Sequence, residues 1–209
     1  MLKAISRFIL ATAVLLATAA VSSATTIALD VVSNTQEFAT GVFHNVGWEF
    51  SVNTPIVVDA LGIFDVNPAG LSESHQVGLW NASGTLLAST TVTSASTLIT
   101  SASTAGDWLF QSITPIVLAP GTYVTGGFFA TSADVVMANA TITTIPQISF
   151  VASRASSEGS FAKPGPYGLV EPGVFGANIG IQSVAAVPEP ASMLLLGSGL
   201  TALAIRRRR

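Results

Sequence analysis

The chain has no cysteine among its 209 residues, which removes disulfides, thiolate metal sites and thiol nucleophiles together. A body built without them relies on apolar burial and backbone hydrogen bonding. Histidine is nearly as scarce. His44 and His75 are the only two, and neither sits in an HExxH or other metal-ligand spacing, so both read as ordinary strand or loop residues. Positive charge is missing from the middle of the chain. Six of the eight basic residues, Lys3, Arg7 and Arg206 to Arg209, stand at the two ends. Arg154 and Lys163 are left against ten carboxylates between 25 and 187, a balance of −8. Binding nucleic acid needs clustered Lys and Arg to neutralise phosphate, so that class of partner is set aside. Finally, no stretch between 25 and 185 carries an apolar stripe at helical spacing.

What is present instead is alternation. Val46, Trp48, Phe50 and Val52 interleave with Gly47, Glu49 and Ser51, the period of a half-buried strand. The apolar run 56–66 ends at the turn signal Asn67-Pro68-Ala69-Gly70, and 75–80 and 85–92 flank the turn Asn81-Ala82-Ser83-Gly84 as a hairpin. Strands are also predicted over 26–32, 107–113, 116–118, 123–130, 134–144, 147–152 and 174–184. The stretch 34–40 reads as a polar connection, Thr114-Pro115 as a break, 93–105 as a loop or plain edge, and 153–173 as a long surface loop. Gly126 and Gly127 mark a bulge or the close approach of another backbone. Many strands, Gly/Pro turns and no helices predict an all-β fold, an antiparallel β-sandwich of jelly-roll-like topology, over residues 25–184.

The two ends have a different character. In residues 1–24, Lys3 and Arg7 precede an uncharged apolar stretch and then Ser22-Ser23-Ala24. This is the pattern of a secretory signal peptide, with cleavage by signal peptidase after Ala24 and export by the general secretion machinery. Residues 185–209 form the last segment. Its uncharged run 191–205 reaches about 22 Å as a helix, short of the roughly 30 Å hydrocarbon core. Arg206, Arg207, Arg208 and Arg209 extend it, because long cationic side chains snorkel to the headgroups and a cluster of them stays on the cytoplasmic side. In front of the run, Pro188 and Pro190 hold Glu189 in a stiff, extended tripeptide at the outer face of the inner membrane.

At these residues the chain resembles the PEP-CTERM sorting sequence of Gram-negative bacteria that make extracellular polysaccharide. The resemblance rests on Val187-Pro188-Glu189-Pro190, the small residues Ala191 and Ser192, the Leu/Gly/Ala-rich span and the arginine block. It implies that a membrane-embedded exosortase recognises Pro188, Glu189 and Pro190 and cuts near them, releasing or attaching the protein outside. In the body, 75–88 and 113–124 resemble a recurring secreted β-sandwich module of unknown function, often joined to PEP-CTERM tails or to polysaccharide-active proteins. That resemblance implies a fold and names no ligand.

Candidate chemistry is sparse. Ser83 sits in a turn and lacks the strained strand-to-helix elbow of a serine hydrolase. Asp59 and Asp65 share a face if their strand is regular, and a sugar hydrolase needs two such carboxylates. Solvent-facing or loop acids account for them as well. Asp65 and Asn67 at the strand end offer oxygens to Ca²⁺, although no full loop motif is present; no other cofactor is expected. Trp80 and Trp108 are the candidate glycan contacts, as stacking platforms if they face outward and as core if they do not. Two functions follow. The first is a non-enzymatic exported surface or matrix protein, anchored transiently in the inner membrane and then associated with exopolysaccharide or biofilm outside the cell. The alternative is a secreted carbohydrate-binding protein or polysaccharide-modifying enzyme.

Overall fold

The computed structural model describes residues 24–33, 36–39, 44–66, 70–104, 106–131, 133–167 and 174–182, and among them there is no helix. The signal peptide through residue 23 and the whole sorting segment from 185 onward lie outside the described residues. The strands are β1 Thr25–Ile27, β2 Leu29–Ser33, β3 Gln36–Ala39, β4 Asn45–Val52, β5 Ile56–Val66, β6 His75–Asn81, β7 Leu86–Val92 and β8 Thr97–Ile99. They continue as β9 Gly106–Leu118, β10 Gly121–Phe128, β11 Val135–Ala138, β12 Thr141–Thr144, β13 Ile148–Ser156, β14 Val174–Phe175 and β15 Ala177–Gln182. Two five-stranded sheets carry the body, in the orders β1-β15-β5-β9-β8 and β13-β4-β10-β6-β7. Smaller sheets β14-β11-β3 and β12-β2 accompany them, and all the pairings are antiparallel.

The alternation of β4 explains the core. Val46, Trp48, Phe50 and Val52 are buried against Leu61 and Ile63 of β5, Val77 and Leu79 of β6 and Ile179 of β15, so one apolar layer joins the two large sheets. Trp48 adds a directional tie, its buried Nε1 donating to the carbonyl of Ala177 on β15 at 2.9 Å. A buried indole N–H left without an acceptor would cost about 1–3 kcal/mol, so this bond fixes how β4 faces β15 as well as satisfying the ring.

Several expectations are revised by long-range pairing. The stretch expected as one first strand is two, because at Ala28 the chain changes sheets: its N–H donates to Ile179 at 3.2 Å and its carbonyl accepts from Ile145 at 3.0 Å. The polar connection 34–40 contains β3, which pairs with β11. Within 93–105 the short edge β8 forms on β9. Thr114-Pro115 does not end a strand. The ladder with β5 steps from Val58↔Ile116 to Ala60↔Ser112, so Pro115 sits in a bulge where no ladder N–H is required. The expected strand 134–144 divides into β11 and β12 at Asn139, whose φ of 50° is a left-handed conformation that Asn tolerates. The surface loop begins only after Ser156, since β13 pairs along β4 to that residue.

Candidate functional site

The outer face of the second sheet is crossed by a packed segment, and its register explains why. Arg154 of β13 stands beside Gly47 of β4, Gly47 beside Gly126 of β10, and Gly126 beside Gly78 of β6. Three neighbouring strands therefore lack a side chain in one row. The segment 157–167 lies in the slot that results. A Cβ placed on Gly126 would come within 2.6 Å of the Pro164 ring, and one on Gly78 within 2.7 Å of Phe161. Asn45, fully buried two residues before Gly47 on β4, holds the segment by its backbone. Its Nδ2 donates to the carbonyls of Glu158 and Ser160 at 3.1 and 3.0 Å, and its Oδ1 accepts from Ala162 N–H at 2.9 Å. Ala155 N–H donates to Gly165 at 3.0 Å and closes the other side.

Between this strap and the β6–β7 turn opens a cleft of about 410 Å³. Glu49, Thr122 and Val124 form its floor, Pro164 and Pro166 its wall, and Arg154 and Lys163 its charged rim. The two cations of the whole 25–187 stretch thus meet in one place. Arg154 is ion-paired with Glu49, both side chains being mostly buried. Desolvation holds the Arg154 guanidinium below its usual value, and its Nε is buried without a hydrogen-bond partner. Lys163 reaches across the strap and donates to the carbonyls of Asn81 and Ala82, both at 3.3 Å. A second cleft, of about 470 Å³ beside Pro55 and Pro146, has no charged residue in its lining. The first combines ring and methyl surface with an ion pair and a cation at its rim, which suits a polar ligand bearing a carboxylate or other anion.

The residues singled out from sequence fall elsewhere. Trp108 is fully buried and Trp80 is 4 % exposed, so neither offers a ring to a glycan, which corrects the stacking-platform expectation. Trp108 packs edge-on to Phe64 with centroids 4.9 Å apart. Trp80 does point to the outer face, but the strap covers it with Phe161 at 5.4 Å. Asp59 and Asp65 are not a matched pair on one face, because the β5 ladders on both sides pass over Asp59 and alternation changes phase there. Burial raises the pKa of Asp59, against hydrogen bonds that lower it, among them one from the Thr25 hydroxyl. Burial is also the main cause of the raised pKa of Asp65, which accepts from Gly70 N–H at 3.0 Å and lies near the charges of Asp134 and Asp107. Asn67 lies outside the described residues, and among those described no group of three acidic, histidine or cysteine side chains converges on a metal position. Ser83 is a turn residue, donating to Asn81 Oδ1 at 2.8 Å.

Both histidines hold the end of β10. His44 Nδ1 donates to Phe129 O at 3.0 Å, and buried His75 donates from Nδ1 to Phe128 O at 3.1 Å. His75 Nε2 lies 2.8 Å from Asp134, which also accepts from the N–H groups of Ser72 and Glu73. Desolvation pushes the Asp134 carboxyl up, but these donors together hold it below its usual value. The cleft residues Glu49, Arg154 and Lys163, and Asn45 that anchors the strap, were not singled out from sequence. The signal that leads to them is the rarity of cations in the body, with Lys163 at the head of Lys163-Pro164-Gly165-Pro166.

The geometry defines an antiparallel two-sheet body with a strapped, cation-rimmed cleft. The family model described as Domain of unknown function (DUF4082) matches residues 30–165, which is most of the body, and the chain belongs to that family. A PEP-CTERM protein-sorting motif matches residues 186–209 and marks an exported protein that is sorted through the membrane by an exosortase. No curated protein and no solved structure matches the chain.

Proposed function

We propose that this protein is a non-enzymatic component of the cell surface or extracellular matrix. Its leader is removed after Ala24, and its C-terminal apolar run and Arg206 to Arg209 hold it in the inner membrane until Pro188-Glu189-Pro190 is processed. The sandwich is then delivered into the exopolysaccharide layer. In this reading the contact with glycan is made by the strapped cleft, not by Trp80 or Trp108. The observation that carries it is that the cleft contains one carboxylate, Glu49, and that this carboxylate is committed to Arg154. Glycoside hydrolysis needs two carboxyl groups, one of them free to exchange a proton. Binding needs only the ion pair, the rim cation Lys163 and the proline wall.

The test is a titration of the full chain with acidic and with neutral exopolysaccharide fragments by calorimetry, beside an assay for reducing ends. Binding of the acidic fragments without release of reducing ends is the expected result. Release of reducing ends that survives Glu49→Gln would place a polysaccharide-modifying enzyme elsewhere in the chain and end this reading.

A further inference from the structure

The two large sheets have four edges, and three of them are closed to a newcomer. β1 and β8, at the ends of the first sheet, are only three residues long. β13, at one end of the second, is interrupted by a register shift between Phe150 and Ala152. Gly165 and Pro166 then lie along its far half, through the Ala155 hydrogen bond and an Arg154↔Pro166 bridge. β7 is built differently. It runs seven residues, pairs with β6 alone among the described residues, and contains no charge, proline or glycine. Short length, bulges, prolines and charges are the devices by which proteins keep sheet edges from pairing, because an open edge presents a row of unpaired N–H and C=O groups. β7 has none of them within the strand except a shift at its first residues, where Trp80 faces Leu86.

Charge singles out the same edge. A body carrying −8 repels a second copy over most of its surface, yet the stretch 74–106 contains no Asp, Glu, Lys or Arg. Apolar exposure gathers nearby. Of the six large apolar side chains exposed among the described residues, Leu86 and Leu87 lie on β7, Leu98 on β8 and Val117 on β9. A cleft of about 290 Å³ lined by Leu87, Thr90, Ile113 and Ile116 brings β7 and β9 to one flank.

We propose that β7 is an assembly edge and that its occupant is β7 of a second copy of this chain. Two identical strands meeting antiparallel about a two-fold axis at Ser89 place Ser89 opposite Ser89 and Leu87 opposite Thr91. No like charges are brought together, and the two second sheets become one continuous sheet across an isologous interface. A charged partner peptide would find no complement here, whereas an uncharged copy of the same strand does. The consequence is that copies delivered to one surface link to each other as well as to whatever the cleft holds.

The absence of cysteine makes the test position-specific. Leu87, Ser89 and Thr91 alternate with the more buried Ala88, Thr90 and Val92 and so point to one face. Full-chain variants carrying Ser89→Cys, or Ser149→Cys on the opposite edge β13, are oxidised in detergent and read on a non-reducing gel. The expected result is a covalent dimer of twice the chain mass for Ser89→Cys, none for Ser149→Cys, and loss of the Ser89→Cys dimer when Thr91→Lys is added. Circular dichroism on the Thr91→Lys chain verifies that it is folded. Equal cross-linking at both positions would assign assembly to the C-terminal segment and overturn the proposal. So would a Ser89→Cys chain that stays monomeric across a concentration series, or a folded double variant, Ser89→Cys with Thr91→Lys, that still forms the covalent dimer.

Discussion

Trp108 Nε1 donates to Oδ1 of Asp30 at 2.9 Å, so the most enclosed ring of the first sheet is tied to a carboxylate on β2. The same carboxylate accepts from the Ser101 hydroxyl at 2.7 Å and from Ala102 N–H at 2.7 Å. One acid thereby joins β2, β9 and the loop between β8 and β9. Val31 N–H also donates to it at 2.9 Å, so Asp30→Ala removes the acceptor of four donors at once, and a loss of about 3 kcal/mol is expected from the usual size of hydrogen bonds to charged groups. Urea unfolding measures it. Asp30→Asn, which keeps one acceptor oxygen, should lose clearly less.

The acid limb of stability follows from carboxyls shifted in opposite directions. Asp134 has a folded pKa below its unfolded one, so its contribution is present above the unfolded value and is lost as pH falls through the folded value. Asp65 is raised, so its ionisation opposes folding at neutral pH, and that opposition fades as pH falls through its folded pKa. Asp134→Asn should therefore flatten the acid limb of the urea midpoint against pH. Asp65→Asn should gain most over the natural chain at neutral pH and lose the advantage on acidification. A parallel shift of both variants at every pH would refute the assignment.

The glycine row makes a steric prediction. Gly126→Ala sets a methyl against the rigid Pro164 ring, and overpacking of this kind costs typically about 1–3 kcal/mol. Gly159→Ala, in the strap itself and with nothing within 4 Å of the added carbon, is the control. Thermal melts of the two variants should separate, with Gly126→Ala the lower.

Glu49→Gln leaves Arg154 mostly buried without its carboxylate. Breaking such a pair costs about 3 kcal/mol, so lower stability is expected from this change. Lys163→Ala loses only two long bonds to carbonyls at the rim and should melt near the natural temperature. Its binding of acidic fragments should weaken at least tenfold at low salt, and calorimetry at two salt concentrations reads both effects.

At the other end of the chain, Glu189→Ala should leave Arg206 to Arg209 on the protein recovered from cells that contain exosortase. Intact mass spectrometry distinguishes this from the natural sequence, for which loss of the arginines is the expected outcome.

What can be read in advance is local. β4 and the β6–β7 hairpin are legible because alternation and the Asn81–Gly84 turn are written within a few residues, and Gly84 supplies the positive φ of 90° that such a turn uses. At Gly126 and Gly127 the ladders run without a bulge, and what comes close is a side chain in each case, Pro164 over one and Ile63 over the other, in place of the backbone expected there. The cleft is not legible. Glu49 meets Arg154 only through the register of β4 with β13, and Gly47, Gly126 and Gly78 form a row only once three strands are aligned. Trp80 shows the limit well. Its phase in β6, shared with Gln76 and Gly78, points it outward, and its burial depends on a strap that no periodicity announces.

The strap divides the cleft between two kinds of chain. The sandwich contributes Glu49, Thr122 and Val124 from strands whose other faces are locked into the apolar layer, while Lys163, Pro164 and Pro166 come from a segment held mainly through its own backbone by Asn45 and Ala155. Because that grip runs through the backbone, a strap residue outside the glycine row, such as Lys163, can be exchanged without disturbing the strands beneath, whereas Phe161 and Pro164 are packed into the row. Under the binding role proposed for the cleft, its selectivity can accordingly be retuned by rewriting part of a single short peptide.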